Sequence, residues 1–208
     1  MTLAVIAKAP VAGRVKTRLT PPCTPEQAAA LAEAALRDTL DAVRATPAAR
    51  RVVVLDGAPG PWLGDGFEVI PQRGAGLDER LAAAFDDIGG PTFLVGMDTP
   101  QVTPALLLAG LRALDEAPAS LGLSTDGGYW GIGFATPDAG ALVGVPMSVD
   151  ETGAEQHARL VGRGLSPVEL PLLTDVDDIA TARLVAAQAP GSHFAAALQA
   201  AGLQEDAA

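Results

Sequence analysis

Short, continuous apolar runs alternate along this chain with longer stretches whose apolar positions recur every three or four residues. Residues 2–7 (TLAVIA) are such a run, rich in strand-forming types, and predict a strand buried on both faces. RVVVL at 51–55, a shorter segment at 67–70 and PTFLVG at 91–96 repeat the signal. Thr24 supplies an N-cap, Pro25 the first helical position and Gln27 the closing partner of a capping box. A helix is therefore expected from there to about residue 45. Leu77, Leu81, Ala84 and Phe85 line one face of a helix over 76–88, and Thr103-Pro104 opens another that reaches about residue 115. Segments 120–124 and 129–134 predict strands on either side of Asp126-Gly127-Gly128, whose composition is that of a hairpin turn. A helix at 150–163, a strand at 167–170, a helix at 179–188 and a last amphipathic helix at 194–203, ahead of an acidic tail, complete the pattern.

Strands and helices alternating over most of the length predict an α/β fold, an open and mainly parallel sheet with helices on both faces. At 208 residues the expectation is one domain over 1–208, with a core at about 2–189 and the C-terminal helix and acidic tail at 190–208. Ligands of such sheets bind beyond the carboxyl ends of the strands. Attention falls on the residues that follow strands: Lys8 to Arg18, then Asp98, Asp126, and Asp175 to Asp178.

Composition narrows the partners. Hydrophobic residues at 49% and charged residues at 19% suit a large core and exclude disorder. Aromatics at 4% and a net charge of −11 argue against nucleic acid and against an anionic membrane surface. No apolar run is long enough to span a bilayer, and the run at 3–7 lacks the basic flank of a signal peptide, so a soluble cytoplasmic protein is expected. Cys23 is alone, which excludes an internal disulfide and argues against structural zinc. It reads as an inert small residue at a helix start, although bases nearby would lower its pKa.

The charge is unevenly spread. The first 25 residues hold no acid but carry Lys8, Arg14, Lys16 and Arg18, a net of +4, which leaves −15 for the remainder. The chain has 12 arginines and only two lysines, and both lysines lie in this loop. Gly13 permits close backbone approach and the bases neutralise charge, so the loop has the parts of a phosphate site. Its spacing is neither that of a P-loop nor that of a dinucleotide-binding turn.

Asp98, just past an apolar strand, reads either as a turn-capping carboxylate or as a ligand for Mg2+ or Mn2+. Those hard cations take oxygen donors together with substrate phosphates. In Asp175-Val176-Asp177-Asp178, either Asp177 or Asp178 suits a helix cap. In an extended chain Asp175 and Asp177 point the same way, which suits a metal. Hairpin chemistry alone explains Asp126-Gly127-Gly128, with Tyr129 or Trp130 lining a pocket while the other packs. His157 and His193 lack partners at metal-ligand spacing.

Several segments, in this order and spacing, together resemble one family of GT-A-fold transferases. They are Lys8-Ala9-Pro10 with Gly13 and Lys16-Thr17-Arg18-Leu19, then Gly96-Met97-Asp98-Thr99-Pro100, Asp126-Gly127-Gly128-Tyr129 and Asp175-Val176-Asp177. The family is known mainly as a domain of unknown function, or as radical-SAM/selenodomain-associated transferase type 1. Gln72 and Leu77-Asp78-Glu79-Arg80-Leu81 are similar to a further family segment, with Asp78 where glycine is usual. Pro146-Met147-Ser148-Val149-Asp150 departs from the family's Trp-Ser-Thr on the acceptor side.

The resemblance implies a single-domain, GT-A-like three-layer α/β/α sandwich with a mixed, mostly parallel sheet. Molybdopterin nucleotidyltransferases and 2-phospholactate guanylyltransferase are its relatives. It further implies nucleotide binding by Ala7, Lys8, Pro10, Gly13, Lys16, Arg18 and Gln72, and catalysis by Lys16 and Asp98. A cation, Mg2+ or Mn2+, would sit on Asp98, Asp175 and Asp177, and the acceptor pocket would involve Asp126, Gly127, Gly128 and Tyr129. The expected activity is metal-dependent nucleotidyl transfer from a nucleoside triphosphate to a small anionic acceptor, with pyrophosphate released. The alternatives are a glycosyltransferase using a nucleotide-sugar, with Asp126 or Asp150 as base, and a non-catalytic nucleotide-binding module. A homo-oligomer is compatible with the sequence.

Overall fold

The computed structural model describes residues 1–204, so the acidic tail expected at the C-terminus falls partly outside the described residues. Its strands are β1 (Thr2–Lys8), β2 (Arg50–Asp56), β3 (Glu68–Pro71), β4 (Thr92–Val95), β5 (Ala119–Ser124), β6 (Tyr129–Phe134) and β7 (Pro167–Leu173). They form one sheet in the order β3-β2-β1-β4-β6-β5-β7. β6 runs antiparallel to β4 and β5, and every other pair is parallel. The helices are α1 (Pro25–Ala45), α2 (Leu77–Ile88), α3 (Pro104–Glu116), α4 (Thr152–Gly162), α5 (Ile179–Gln188) and α6 (His193–Ala200).

Successive side chains of a strand point to opposite faces, and β1 is apolar at nearly every position, so it must be covered twice. Leu3 and Val5 meet Leu36 of α1 and Leu107 of α3 on one face. Ala4 joins Phe85 of α2 and Leu160 of α4 on the other. The result is a three-layer α/β/α sandwich. α5 and α6 pack outside α1, where Leu31 and Ala35 meet Val185 and Leu198. α1 is thus buried on two sides, which explains why it is rich in alanine rather than in charge. At the centre, Phe93 of β4 is fully buried. A Cβ on Gly110 or Gly131 would lie 2.7 or 2.6 Å from its ring, so α3 and β6 close on this phenyl only because both positions are glycine.

Local chemistry sets the element ends. The Thr24 hydroxyl accepts from the Gln27 N–H at 3.2 Å, and the Gln27 side chain accepts from the Thr24 N–H at 2.8 Å, forming the expected capping box. β7 runs on to Leu173, beyond its predicted end, because it stays paired with β5 as far as Ser124. α4 starts at Thr152 rather than at residue 150, since the Thr152 hydroxyl donates to the Val149 carbonyl at 2.8 Å and closes a turn first. α6 starts at His193, capped by Ser192, and stops at Ala200. Two single 3-10 turns, Thr17–Leu19 and Ala139–Ala141, had no signal in the periodicity. No helix among the described residues is long and apolar enough to cross a membrane.

Candidate nucleotide and metal site

A cleft of about 740 Å³ lies over the carboxyl ends of the strands. The chain leaves β1 at Lys8 and enters the basic loop, where Lys16 adopts the left-handed conformation (φ 48°, ψ 38°). For a lysine this backbone is unfavourable and must be held by other contacts. Those contacts lie in the cleft. The Lys16 side chain is only 8% exposed, its Nζ sits 2.5 Å from Asp98 Oδ1, and it also donates to the Val176 carbonyl. One ammonium therefore ties the first loop to the end of β4 and to the segment after β7. The Val176 N–H donates to the Asp98 carbonyl at 2.9 Å, and Gln101 Nε2 donates to the Thr174 carbonyl at 2.5 Å. Beside this stitching the Thr99 hydroxyl is buried without a partner.

Asp126, Asp175 and Asp177 bring carboxylate oxygens within 4.8 Å of one another. Asp126 is aimed by the turn it begins, since its Oδ1 accepts from the Gly128 N–H at 2.8 Å. Gly127 has φ 87°, and a Cβ there would sit 1.8 Å from the Asp150 carbonyl oxygen, so the turn needs glycine for both its backbone and its packing. Burial pushes the Asp175 carboxyl up to about 6, helped by the charges of Asp126 and Asp177 and opposed by Lys16. Arg18 reaches Asp177 Oδ2 at 2.6 Å in an exposed pair. Asp178 takes the other role foreseen for this segment: its Oδ1 accepts from the Thr181 N–H at 2.8 Å and caps α5.

On the β2–β3 side, Gln72 Nε2 donates to the carbonyls of Ala7 at 2.8 Å and Val54 at 3.2 Å. Its Oε1 accepts from Arg80 at 3.3 Å, and Arg80 also reaches Asp56 Oδ2 at 3.3 Å. Gln72 is thus a fixed piece of wall. At the opposite end the Tyr129 hydroxyl lies 3.5 Å from Gln156 Oε1 and 3.9 Å from the Met147 sulfur. Burial raises the Tyr129 pKa, and the nearby Asp78 charge adds to this. Trp130 packs edge-on against Phe93, with ring centroids 5.8 Å apart, and donates to the Pro171 carbonyl at 3.0 Å.

Most of the candidate residues come together in this cleft. Ala7, Lys8, Lys16, Arg18, Gln72, Asp98, Asp126, Gly128, Tyr129, Asp175 and Asp177 all line it. Pro10 and Gly13 of the first loop and Gly127 within the Asp126 turn do not line it. Asp98 meets an ammonium rather than the other carboxylates, whereas Asp126, assigned in the sequence to the acceptor pocket, joins Asp175 and Asp177. Cys23 is buried and its thiol is pushed up, opposite to the shift that nearby bases would cause. Arg14, a base of the first loop, and Arg80, in the segment after Gln72, were given no site role from the sequence but also line the cleft. The Leu77, Arg80, Leu81 spacing on one helix face was the available signal for Arg80.

The model of a family described as "uncharacterized protein conserved in bacteria" (DUF2064) matches residues 30–149. The chain belongs to that DUF2064 family. The matched span includes Asp98 and Asp126 but neither the basic loop nor Asp175. Among solved structures, the DUF2064 chain is similar to a Desulfovibrio desulfuricans G20 protein provisionally named a nucleotide-diphospho-sugar transferase. The TM-score is 0.84 at 24% identity, over 96% of this chain and 94% of that one. It is also similar to CMP:2-keto-3-deoxy-manno-octonic acid synthetase complexed with CTP, with a TM-score of 0.55 at 14% identity over 89% and 96% of the two chains. Rv0371c from Mycobacterium tuberculosis H37Rv, in complex with manganese, gives 0.55 at 23% identity over 88% and 96%. These likenesses establish a GT-A-like fold for the chain. No curated protein matches the chain.

Proposed function

We propose that this cleft binds a nucleoside triphosphate with a divalent cation and transfers the nucleotidyl group to a small acceptor, releasing pyrophosphate. The observation that carries this reading is the meeting of a basic loop and a carboxylate cluster at the carboxyl edge of one sheet, joined through Lys16. Four bases on one loop suit a triphosphate, which carries more negative charge than the diphosphate of a nucleotide-sugar. CTP and manganese, recorded with two neighbours of the same fold, agree with it.

The donor set fits the cation. Asp126, Asp175 and Asp177 offer hard oxygen ligands within 4.8 Å of one another, with Asp98 held by Lys16 beside them. Burial raises the Asp175 carboxyl first, and the charges of Asp126 and Asp177 add a crowding that a cation would relieve. Magnesium or manganese, when bound, supplies Lewis-acid polarisation of phosphoryl oxygens and neutralises charge on the leaving pyrophosphate. The chain's own groups do the rest. Lys16 and Arg18 offset charge on the phosphates, and Lys8, Pro10 and Gly13 shape the backbone that approaches them. Ala7 and Gln72 form the floor beneath the nucleotide. In the Lys16–Asp98 pair each group serves as the other's counterion. The Arg18–Asp177 pair is exposed and cheaply broken.

The likeness to a protein named for nucleotide-sugar chemistry favours a second reading, glycosyl transfer with release of a nucleoside diphosphate. A thermal-shift panel of nucleoside triphosphates and nucleotide-sugars, each with and without Mg2+ or Mn2+, separates the two. At 100 times its Kd a ligand adds about 2.7 kcal/mol. For a chain of this size the melting point would rise by about 5–10 °C. A cation-dependent rise with one triphosphate is the expected result. A rise confined to nucleotide-sugars moves the activity to glycosyl transfer, and no rise with either class defeats the nucleotide-binding reading.

A further inference from the structure

Where the cleft passes over the ends of β2 and β3, its chemistry is directional rather than simply charged. The basic loop follows β1 at the middle of the sheet, and the carboxylate cluster follows β5 and β7 on one side of it. A triphosphate held between that loop and that cluster leaves its nucleoside on the other side, over Ala7 and Gln72.

Gln72 has no hydrogen left to donate there. Both hydrogens of its Nε2 go to the Ala7 and Val54 carbonyls, and its Oε1 accepts from Arg80. Arg80 does have one. Its Nε donates to the Gly74 carbonyl at 3.2 Å, and its Nη1 to Asp56 Oδ2 and Gln72 Oε1 at 3.3 Å each. These bonds hold the guanidinium in place, and among the described residues its Nη2 meets no acceptor. The side chain is 27% exposed and lines the cleft.

Its charge is offset by Asp56, and the other ionisable groups in the first turn of α2 are the acids Asp78 and Glu79. A phosphate would gain little here, whereas a neutral acceptor would complete the bonding of a mostly buried guanidinium. Leu77 and Leu81 flank Arg80 on the same helix face and also line the cleft. Leu77 is 43% exposed, so a flat ring seated beside Arg80 would cover apolar surface.

We propose that this end reads the base of the nucleotide, and that Arg80 selects a base carrying a carbonyl oxygen, as guanine, cytosine and uracil do, against adenine. Adenine has no carbonyl, and its amino group would set donor against donor. The inference rests on the nucleotide-transfer reading and adds the donor's base to it. It holds for a triphosphate or a nucleotide-sugar.

The test titrates the full chain by calorimetry, in Mn2+, with ATP, ITP, GTP, CTP and UTP, and likewise with ADP-, GDP- and UDP-glucose. The best carbonyl-bearing nucleotide should bind about 10-fold or more tighter than its adenine counterpart. GTP and ITP leading together would assign the carbonyl to a purine, and CTP and UTP leading together would assign it to a pyrimidine. Arg80→Gln should bring the ratio close to one, whereas a merely structural Arg80 would weaken every nucleotide by the same factor. Arg80→Lys keeps a charge opposite Asp56 and should show the same fall, which covers a loss of folding in the first variant. Adenine nucleotides binding as tightly as any other overturn the proposal, and so does a ratio that survives both substitutions. Binding of none of the nucleotides defeats the nucleotide reading itself, a distinguishable result.

Discussion

Asp175 shows how a single side chain can report on a site. Burial and two neighbouring carboxylates raise its pKa to about 6 from an ordinary 3.8. The native state therefore binds more protons than the unfolded chain between those values, so this group's contribution to stability falls as pH rises from about 4 to 6. A divalent cation competes with the same proton, so its stabilising effect should be weak at pH 5 and strong at pH 7. Asp126→Asn keeps an acceptor for the Gly128 N–H but removes one of the repelling charges. Melting curves should show that variant at least as stable as the natural chain at pH 7 without cation, with a much smaller Mn2+-dependent rise. An unchanged Mn2+ effect would move the cation away from Asp126.

At the scale of elements, the site depends on where helices and strands stop. β7 must end before Asp175 and α5 must begin after Asp177, so that both carboxylates stand in the short link between. Asp178 defines that second boundary through its bond to Thr181. Losing an N-cap of this kind costs about 1 kcal/mol, which is about 2–4 °C in melting temperature at this size. Asp178→Ala should show that loss, and nucleotide affinity measured by calorimetry should weaken only modestly if frayed α5 still leaves Asp175 and Asp177 in place. An affinity loss as large as that of Asp175→Asn would mean that Asp178 itself is a ligand.

Across the whole molecule, Lys16 joins segments that the chain keeps 160 residues apart. Its ammonium fixes the first loop to the end of β4 and to the segment after β7, and under the proposed function the same residue would also meet the phosphates. Lys16→Ala should weaken triphosphates by a larger factor than monophosphates in calorimetric titrations, because the loop then lacks its innermost base. Equal weakening of both would mean that the loop meets only the phosphate nearest the nucleoside. The variant should also melt lower, since Asp98 loses its counterion and the left-handed backbone at Lys16 loses the contacts that hold it.

Fold class, strand count and the N-termini of α1 and α3 follow from local signals in the sequence, because periodicity, caps and turn residues act within a few positions of one another. The basic loop, Asp98, Asp126 and Asp175 are also legible, since each sits just past an apolar run and strand ends carry ligands in such sheets. Which carboxylates gather is another matter. Asp126 joins Asp175 and Asp177, and Asp98 pairs with Lys16, only because β6 inserts antiparallel between β4 and β5 and β7 then adds beside β5. Strand order is settled by long-range packing on both faces of the sheet, and no local pattern in the chain encodes it.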